Sequence, residues 1–361
     1  MTTHAWLHAS AEGPGRRSRL AHLCDRARVL PLLGRLRGLG PGDVRILAYH
    51  RVLEAAEPDG FDFDPELISA SVDAFHAQMS VVRRDWRPMR FDELADCIDR
   101  GRRIPPRAVL VTFDDGYEDN HRLAFPVLRD LGLSAMFFVS TGHIDGGQPY
   151  AYDWLVHMVC ATPARRLVLP ALGIDEPLPQ DLAERRRSAA RLLTRIKSLC
   201  ASEQDRHIAT LEQAWDMPRE RAHPACRPMG WDHLRQMRAA GMEIGSHGVS
   251  HRMLAKLPRE AMREEVAGSR ATLQRELGPG IDVLSYPVGG PDAYDETVIE
   301  AVRDAGYRLG CSYVAGIGSA RRDGRYALRR MPVERGMALP WFKAMLALPE
   351  VFTYPSRLRT G

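Results

Sequence analysis

The sequence predicts a parallel α/β barrel. Strand-like apolar runs alternate with helix-like stretches along the chain, a pattern typical of parallel β/α architecture. Seven or so strand-like runs are enough for a complete or slightly open barrel. Polar residues follow directly after several of them, and α/β barrels carry their chemistry at the C-terminal ends of their strands. The length of 361 residues, 45% of them hydrophobic, leaves room for a barrel of about 250 residues with additions.

The individual elements are predicted from apolar runs, periodicity and turn residues. Residues 108–111 form an uninterrupted apolar run of strand length, which is typical of a strand buried on both faces. Residues 259–277 have apolar positions at helical spacing and precede Gly278-Pro279-Gly280, which should end a helix. The predicted strands are 46–49, 108–111, 135–139, 242–245, 282–286, 309–313 and 326–331, and the predicted helices are 65–84, 91–100, 123–131 and 259–277.

A long excursion at about 142–228 interrupts this alternation and is far longer than an ordinary loop. Its segment 181–215 is rich in Arg, Leu, Ala and Glu and predicts one or two helices. Because the excursion leaves the catalytic end of the barrel, we expect it to form a wall or lid over the substrate cleft. Tyr152 and Trp154 near its start can stack on sugar rings, or they can pack in a core. The predicted organisation is therefore an N-terminal arm at 1–42, a barrel at 43–340 that includes the lid, and a tail at 341–361.

Two adjacent carboxylates, Asp114 and Asp115, lie in the segment TFDDGY that follows the strand 108–111. Like charges this close disfavour each other's ionisation, so one of the pair usually gains a cation while the other has a different task. A divalent metal ion would supply that cation. An ordinary Asp-Asp-Gly turn is the alternative interpretation of this tripeptide.

The segment SHGVSH at 246–251 follows another strand-like run and contains His247 and His251. Their spacing lets two imidazoles reach one ion from a single helical turn or tight loop. A histidine pair that is solvated or satisfied in the core is the alternative. Two histidines with one carboxylate are a common ligand set for catalytic zinc, with the fourth position open to water. A third polar segment, SYPVG at 285–289, follows the strand 282–286.

In their order and separation, these motifs resemble the polysaccharide deacetylases of the NodB-homology type, carbohydrate esterase family 4, which remove acetyl groups from N-acetylated sugars. The resemblance runs from about Arg45 to about Arg335. TFDDG at 112–116 matches the first motif of the family, and residues 247–251 match the second. YHRV at 49–52 and MPVER at 331–335 resemble the opening and closing signatures of members from bacterial exopolysaccharide gene clusters.

The resemblance implies a distorted (β/α)7-8 barrel with a helical insertion over its C-terminal face. It implies that Asp115, His247 and His251 hold Zn²⁺, or another divalent metal such as Co²⁺, Ni²⁺ or Fe²⁺, and that Asp114 is the catalytic base. The backbone N–H of Val288 is the candidate donor to the oxyanion that develops on the acetyl carbonyl. The candidates for contact with the substrate or its oxyanion are Val288, Tyr117, Tyr286, Arg330 and Trp154.

The sequence departs from the family pattern at two places. Many relatives have an arginine at the position of Ser285, where it holds the catalytic aspartate; Arg330 can reach the same place from another strand, or it can be a solvated arginine. Many relatives also use a late histidine to protonate the leaving amine, and no histidine follows His251. His50 can be that acid or can be structural, and a protonated Asp114 is a third option.

The sequence thus predicts a hydrolase acting on carbon–nitrogen bonds other than peptide bonds. Its expected substrate is the N-acetyl group of amino sugars in a bacterial polysaccharide or in its lipid-linked precursor. Two alternatives stay open, namely a hydrolase of cyclic amides on the same scaffold and a catalytically silent glycan-binding protein. Retention of both aspartates and both histidines argues against the silent protein.

Composition limits the partners and the compartment. The net charge of +4 argues against nucleic acid as a partner. Residues 16–37 contain seven arginines and a single acidic residue, interleaved with leucines, which suits peripheral contact with an anionic membrane; a flexible or self-packing arm is the alternative, because Pro31 and Gly34 interrupt the helix. No run approaches a transmembrane span. Six cysteines without close pairing and no signal peptide predict a cytoplasmic protein, at the inner membrane surface if the arm binds there.

Overall fold

The computed structural model describes residues 15–36, 43–55, 61, 63–219 and 223–353. The strands of these segments, in chain order, are β1 (Asp43–Tyr49), β2 (Arg51–Leu53), β3 (Ile68–Ser71), β4 (Arg87–Pro88), β5 (Ala108–Phe113), β6 (Met136–Val139), β7 (Arg166–Leu169), β8 (Ile174–Pro177), β9 (Glu243–Ser246), β10 (Val283–Ser285), β11 (Leu309–Ala315), β12 (Gly318–Ser319) and β13 (Leu328–Pro332).

Seven parallel strands close into a barrel in the order β1, β13, β11, β10, β9, β6, β5 and back to β1. The predicted fold class is therefore confirmed. Outside this ring, β12 pairs antiparallel with β1, and β4 pairs with β5. The pairs β2–β3 and β7–β8 form two small separate sheets.

The barrel strands are buried on both faces, as their continuous apolar runs predict. On β1, Ile46 belongs to a core that side chains of six barrel strands build together with α4, whereas Leu47 belongs to the larger core shared with the surrounding helices. On β5, Leu110 and Val111 alternate in the same way. Because side chains alternate along a strand, Thr112 and Asp114 follow Leu110 on the inner side and rise toward the mouth of the barrel.

The helices surround the barrel and form most of the insertion. In chain order, they are α1 (Arg16–Arg26), α2 (Leu30–Leu36), α3 (Val72–Asp85), α4 (Phe91–Asp99), α5 (Phe125–Asp130), α6 (Thr141–Gly146), α7 (Ala151–Ala161), α8 (Leu182–Lys197), α9 (Ala201–Ala214), α10 (Trp231–Ala239), α11 (Arg259–Leu277), α12 (Glu296–Asp304), α13 (Leu339–Ala347) and α14 (Pro349–Phe352). A π-helix at Asn120–Ala124 leads into α5, and short 3-10 helices lie at Pro65–Leu67, Pro170–Leu172 and Leu254–Lys256.

The predicted helix 259–277 is confirmed as α11 with the same bounds. The predicted helix 65–84 is wrong in its first part, where a 3-10 turn and strand β3 precede α3. The side chain of Ser71 accepts a hydrogen bond from the Ala74 N–H and caps α3, so the helix begins there. The chain before Ser71 instead pairs with β2.

The insertion has its own core. Helices α7, α8 and α9 pack together, and Leu155, Leu192 and Leu211 are buried among them. Helix α8 contributes Leu193 and Lys197 to the wall of the cleft at the C-terminal ends of the strands. The insertion therefore lies beside the mouth of the barrel.

The N-terminal arm packs at the opposite end of the barrel. Helices α1 and α2 contact α13, and Ala21 and Leu30 are buried there. Gly34 lies against the Trp86 ring at the end of α3, in a contact so close that a Cβ atom would be 3.2 Å from the ring. The proline and glycine expected to interrupt the helix instead lie within α2. Residues 1–14 and 37–42 of the arm, Arg37 among them, and 354–361 of the tail lie outside the described residues.

Cys24, Cys97, Cys200 and Cys311 are free thiols in the structure. None of the helices in the described segments combines the length and the apolar composition needed to cross a bilayer.

Candidate functional site

The three predicted metal ligands converge at the mouth of the barrel. Asp115 follows β5 and His247 follows β9, two parallel strands on either side of β6, so both residues lie at the same end of the barrel. The Asp115 Oδ1 atom lies 3.4 Å from His247 Nε2 and 3.1 Å from His251 Nε2. One ligand atom from each of the three residues lies within 4.8 Å of the other two. Residues separated by more than a hundred positions thus surround one point.

The chemistry of these atoms fits a divalent metal ion. His247 Nδ1 lies 2.7 Å from the Ser285 carbonyl, which can only accept, so Nδ1 carries the hydrogen and the lone pair of Nε2 faces Asp115. Asp115 Oδ1 is buried and forms no hydrogen bond of acceptable geometry with any described residue, although both imidazoles are near. A buried carboxylate oxygen without a donor, facing two imidazole nitrogens, is what a three-ligand cation site requires.

The electrostatics favour the ligating forms of two of these side chains. Burial opposes the charge of Asp115, but positive charge beside it, here that of the His251 and His247 imidazoles when they are protonated, holds the pKa of Asp115 well below its usual value. Burial lowers the pKa of His251, an effect that the neighbouring Asp115 only partly offsets. A carboxylate beside a neutral imidazole is the combination that binds a metal.

Asp114 is held by Arg330. The guanidinium donates to both carboxylate oxygens, with Nη1 at 2.7 Å and Nη2 at 2.6 Å. Arg330 is fully buried, so the alternative of a solvated arginine is wrong. It also donates to Ser285 Oγ at 2.9 Å, and Ser285 itself lies 3.5 Å from Asp114. Burial would raise the pKa of Asp114, but the Arg330 charge dominates together with His247, and the pKa is lowered.

Strained backbone is concentrated at this site. Six non-glycine residues of the described segments have positive φ, and three of them are Asp115 (75°), His251 (56°) and Val288 (61°). A β-branched residue such as valine is seldom found there, and residues held in such conformations cluster at functional sites. The Val288 N–H makes no hydrogen bond with the described residues. Val288 lines the cleft together with the three predicted metal ligands.

Two supporting residues were missed by the sequence analysis. Glu265 on α11 accepts hydrogen bonds from the backbone N–H groups of Val249 (2.7 Å) and Ser250 (2.9 Å), between the two histidines. The Tyr150 hydroxyl donates to the Asp115 carbonyl, and the Tyr150 ring packs edge-on against His251. A glutamate on the polar side of a predicted helix gives no signal for such a role, because the contact depends on how the helix packs.

His50 lies in the same cleft. It directly follows β1, is buried, and its Nδ1 lies 3.3 Å from the Tyr313 hydroxyl. Its backbone is also held, because the N–H donates to Ser69 Oγ and the carbonyl accepts from Asn120 Nδ2. Both the catalytic and the structural interpretation of His50 are therefore compatible with its contacts.

A polar wall of the cleft was not predicted. It includes Asp64, Lys197 and Asp153. The Tyr117 hydroxyl donates to the Asp153 carboxylate, and Tyr117 itself lines the cleft. Burial raises the pKa of Asp153 to about 7, with Asp115 adding to the effect.

Three predicted substrate contacts need correction. Trp154 does not line the cleft; only 2% of its surface is exposed, and it packs against Phe63 and His157 in the core of the insertion. Tyr286 is also buried and does not line the cleft. Its ring stacks on Tyr294, and its hydroxyl donates a hydrogen bond to the Tyr326 carbonyl. Arg330 lies beneath Asp114, where the carboxylate separates it from the cleft.

Comparison with known protein families shows which family the chain belongs to. The family model described as polysaccharide deacetylase matches residues 101–310, more than half of the chain. The chain belongs to the polysaccharide deacetylase family. The matched segment contains both aspartates, both histidines and Val288, but neither His50 nor Arg330.

A curated protein is similar to this chain at low sequence identity. The putative polysaccharide deacetylase YxkH of Bacillus subtilis (strain 168) is 24% identical over 243 residues, which are 66% of this chain and 56% of that protein. The chain thus matches little more than half the length of this curated relative.

Solved structures of deacetylases share the fold. The Streptococcus pyogenes deacetylase PplD, in complex with acetate, has a TM-score of 0.56 and 17% identity over 87% of this chain and 100% of that chain. A putative polysaccharide deacetylase from Bacillus anthracis has a TM-score of 0.54 and 16% identity over 85% of this chain and 69% of that chain.

Proposed function

We propose that this chain is a metal-dependent N-deacetylase that hydrolyses N-acetyl groups of amino sugars in a bacterial polysaccharide or in its lipid-linked precursor. The observation that carries the proposal is the convergence of Asp115, His247 and His251 beside a second carboxylate, Asp114, that is fixed by Arg330. A glycan-binding protein has no need of two buried adjacent carboxylates, each held in a different way. Family membership supports the reaction class.

Asp115, His247 and His251 are the proposed ligands, and Zn²⁺ is the proposed ion; Co²⁺, Ni²⁺ and Fe²⁺ accept the same donor set. When bound, such an ion supplies a Lewis acid that polarises an acyl carbonyl and makes water more acidic. The Ser285 carbonyl orients the His247 imidazole for this task, and the Tyr150 ring orients that of His251.

Asp114 is the proposed general base. Arg330 occupies both carboxylate oxygens from below and keeps the group ionised, so Asp114 can accept the proton of an attacking water. The water oxygen adds to the acetyl carbon, and the negative charge that forms on the carbonyl oxygen is met by the Val288 N–H. The C–N bond then breaks, acetate leaves, and the amine departs with a proton.

His50 is the proposed donor of that proton. It lies in the cleft with the metal ligands and Asp114, and its contact with Tyr313 fixes the ring. Tyr117 is the proposed substrate contact among the aromatic candidates, since it lines the cleft while Trp154 and Tyr286 do not. The cyclic amide and silent glycan-binding alternatives have no specific observation of the structure in their favour.

The deciding experiment is acetate release from a panel of N-acetylglucosamine oligomers and lipid-linked acetylated sugars, with and without a chelator. We expect release that the chelator abolishes and that added Zn²⁺ restores. Release that survives complete removal of metal would refute the metal-dependent reaction. A panel without any acetate release, alongside tight glycan binding, would favour the silent glycan-binding alternative.

Variants separate the two aspartates. Asp115→Ala and His247→Ala should lose stoichiometric metal, whereas Asp114→Asn should keep it and lose turnover by about 10²-fold or more. Asp130→Asn, at an exposed site on α5, is the matched control and should behave as the unmodified protein. Full activity of Asp114→Asn would remove Asp114 from the role of base. The cytoplasmic location stays a prediction. Membrane contact, predicted for residues 16–37, is proposed separately below for the outer face of α1.

A further inference from the structure

The outer face of α1 carries leucines where a solvated helix would carry polar residues. Leu20 is 44% exposed and Leu23 is 65% exposed, while Ala21 on the opposite side is fully buried. Of the five large hydrophobic side chains that are exposed in the described segments, three belong to the arm, since Leu32 of α2 is also among them. Exposed apolar residues concentrated in one segment indicate an interaction surface.

Arginines flank these leucines on the same face. At about 3.6 residues per turn, Arg16 and Arg19 lie one turn before Leu20 and Leu23, and Arg26 lies one turn after Leu23. All three arginines are exposed. The acidic residue of this helix, Asp25, faces the protein and pairs with Lys343 of α13 at 2.9 Å. The outer face is therefore apolar and positively charged at once.

The arm lies away from the cleft. Its helices pack on α13, and Gly34 lies against Trp86 at the end of α3, whose ring also contacts Arg45 near the start of β1. The metal ligands follow the C-terminal ends of β5 and β9, at the other end of the barrel. A large partner on the arm would leave the mouth of the barrel accessible.

We propose that the outer face of α1 binds the surface of an anionic lipid bilayer. The leucines enter the boundary between headgroups and acyl chains, and the arginines contact lipid phosphates, as in helices that lie in the membrane plane. The charge favours this partner over a second copy of the chain, because two such faces would place their arginines against each other. It also favours lipid over nucleic acid, which has no apolar layer to receive the exposed leucines.

The test is co-sedimentation of the full chain with vesicles of equal parts phosphatidylglycerol and phosphatidylcholine, compared with vesicles of phosphatidylcholine alone. We expect binding to the anionic vesicles only, weakened by salt. The double variant Leu20→Ser/Leu23→Ser should bind on the order of tenfold more weakly. Arg16→Gln/Arg26→Gln should show a similar loss and a smaller dependence on salt.

Val168→Ser is the matched control, because Val168 on the insertion is an apolar residue as exposed as Leu20, at 43%. It should bind vesicles as the unmodified chain does. Equal binding by the leucine variant, or no binding by the unmodified chain, would overturn the proposal. A concentration-dependent dimer that the leucine variant dissociates would assign the face to a second copy instead. Because the assay contains no glycan, its outcome is independent of the deacetylase activity.

Discussion

Arg330, in the middle of β13, holds both carboxylate oxygens of Asp114, which follows β5, at 2.7 and 2.6 Å. The two residues are 216 positions apart, and β1 separates their strands in the barrel. Arg330 also reaches Ser285, the residue in the motif position where many relatives of the family carry an arginine. Both side chains point into the closed barrel. Strand β13 can therefore supply the guanidinium that β10, which carries Ser285 at the motif position, does not.

Replacement of this arginine is expected to damage both stability and turnover. Arg330→Met leaves the Asp114 carboxylate buried without its cation, at a cost of about 3–5 kcal/mol in the free energy of unfolding. Turnover should fall on the order of 10²-fold, because the base is no longer oriented. Urea unfolding and initial rates of acetate release measure the two effects. The double variant Arg330→Met/Asp114→Asn should regain stability but not activity, and a single variant as stable as the unmodified protein would contradict the pairing.

The same pair has a pH consequence. Since the folded pKa of Asp114 is lowered, its ionised form stabilises the fold above the unfolded carboxyl value of about 4. That contribution is lost as pH falls through the folded pKa. As the pH is lowered into the acid range, the free energy of unfolding of the Arg330→Met variant should therefore fall less than that of the unmodified protein.

Close packing at Gly142 should hold the loop with the histidines in place. A Cβ atom at Gly142 would lie 2.8 Å from the Val249 carbonyl oxygen, whereas nothing lies within 4 Å of a Cβ atom at Gly146 on the same helix. We expect Gly142→Ala to lower the free energy of unfolding by about 1–3 kcal/mol and to weaken metal binding. Gly146→Ala should be neutral or slightly stabilising. Thermal unfolding and metal titration of both variants provide the comparison, and equal behaviour would exclude this contact as a constraint.

Glu265 is expected to control metal affinity without contacting the metal site. Glu265→Ala removes the acceptor for the N–H groups of Val249 and Ser250, so the segment between His247 and His251 loses its anchor. Metal affinity should fall about 10–100-fold, as for other residues that orient ligands. Competition with a coloured chelator measures this change. Glu264→Ala, the exposed neighbour on α11, should bind metal normally, and an unchanged affinity of the Glu265 variant would refute the anchoring role.

Asp153 should make the stability of the metal-free protein depend on pH. Its folded pKa of about 7 lies above the unfolded value, so the folded chain binds a proton that the unfolded chain has released. This contribution is complete below about pH 4 and is lost as pH rises toward 7, on the order of a few kcal/mol. The charged and titratable groups that influence this carboxyl are Asp115, Arg51, Asp64 and Tyr117.

Asp153→Asn keeps the shape of the side chain and removes its titration. Urea unfolding of chelator-treated protein at pH 5 and pH 8 should show a smaller difference in the variant than in the unmodified chain. The variant should also be the more stable of the two at pH 8. An identical difference in both proteins would show that Asp153 does not hold a proton in the fold.

The sequence by itself determined the barrel class, the α11 helix and the likeness of three short motifs to one family. These properties depend on local patterns: strand-length apolar runs, helical spacing, and polar residues at strand ends. The family comparison and the closed ring of strands confirm the class and the family. The roles of Asp114, Asp115, His247 and His251 stay proposals, although the structure brings all four side chains to one end of the barrel.

Only the tertiary structure decided which side chains reach the cleft. Trp154 and Tyr286 have the residue types of sugar contacts, yet packing in the insertion and against Tyr294 turns them away. Asp153 and Lys197 carry no motif, yet the insertion brings them to the wall beside the proposed metal ligands. Orientation depends on contacts between elements far apart in sequence, and no local pattern encodes those contacts. Local sequence motifs therefore predict the metal ligands. The side chains that orient those ligands and set their protonation are brought to them only by the fold.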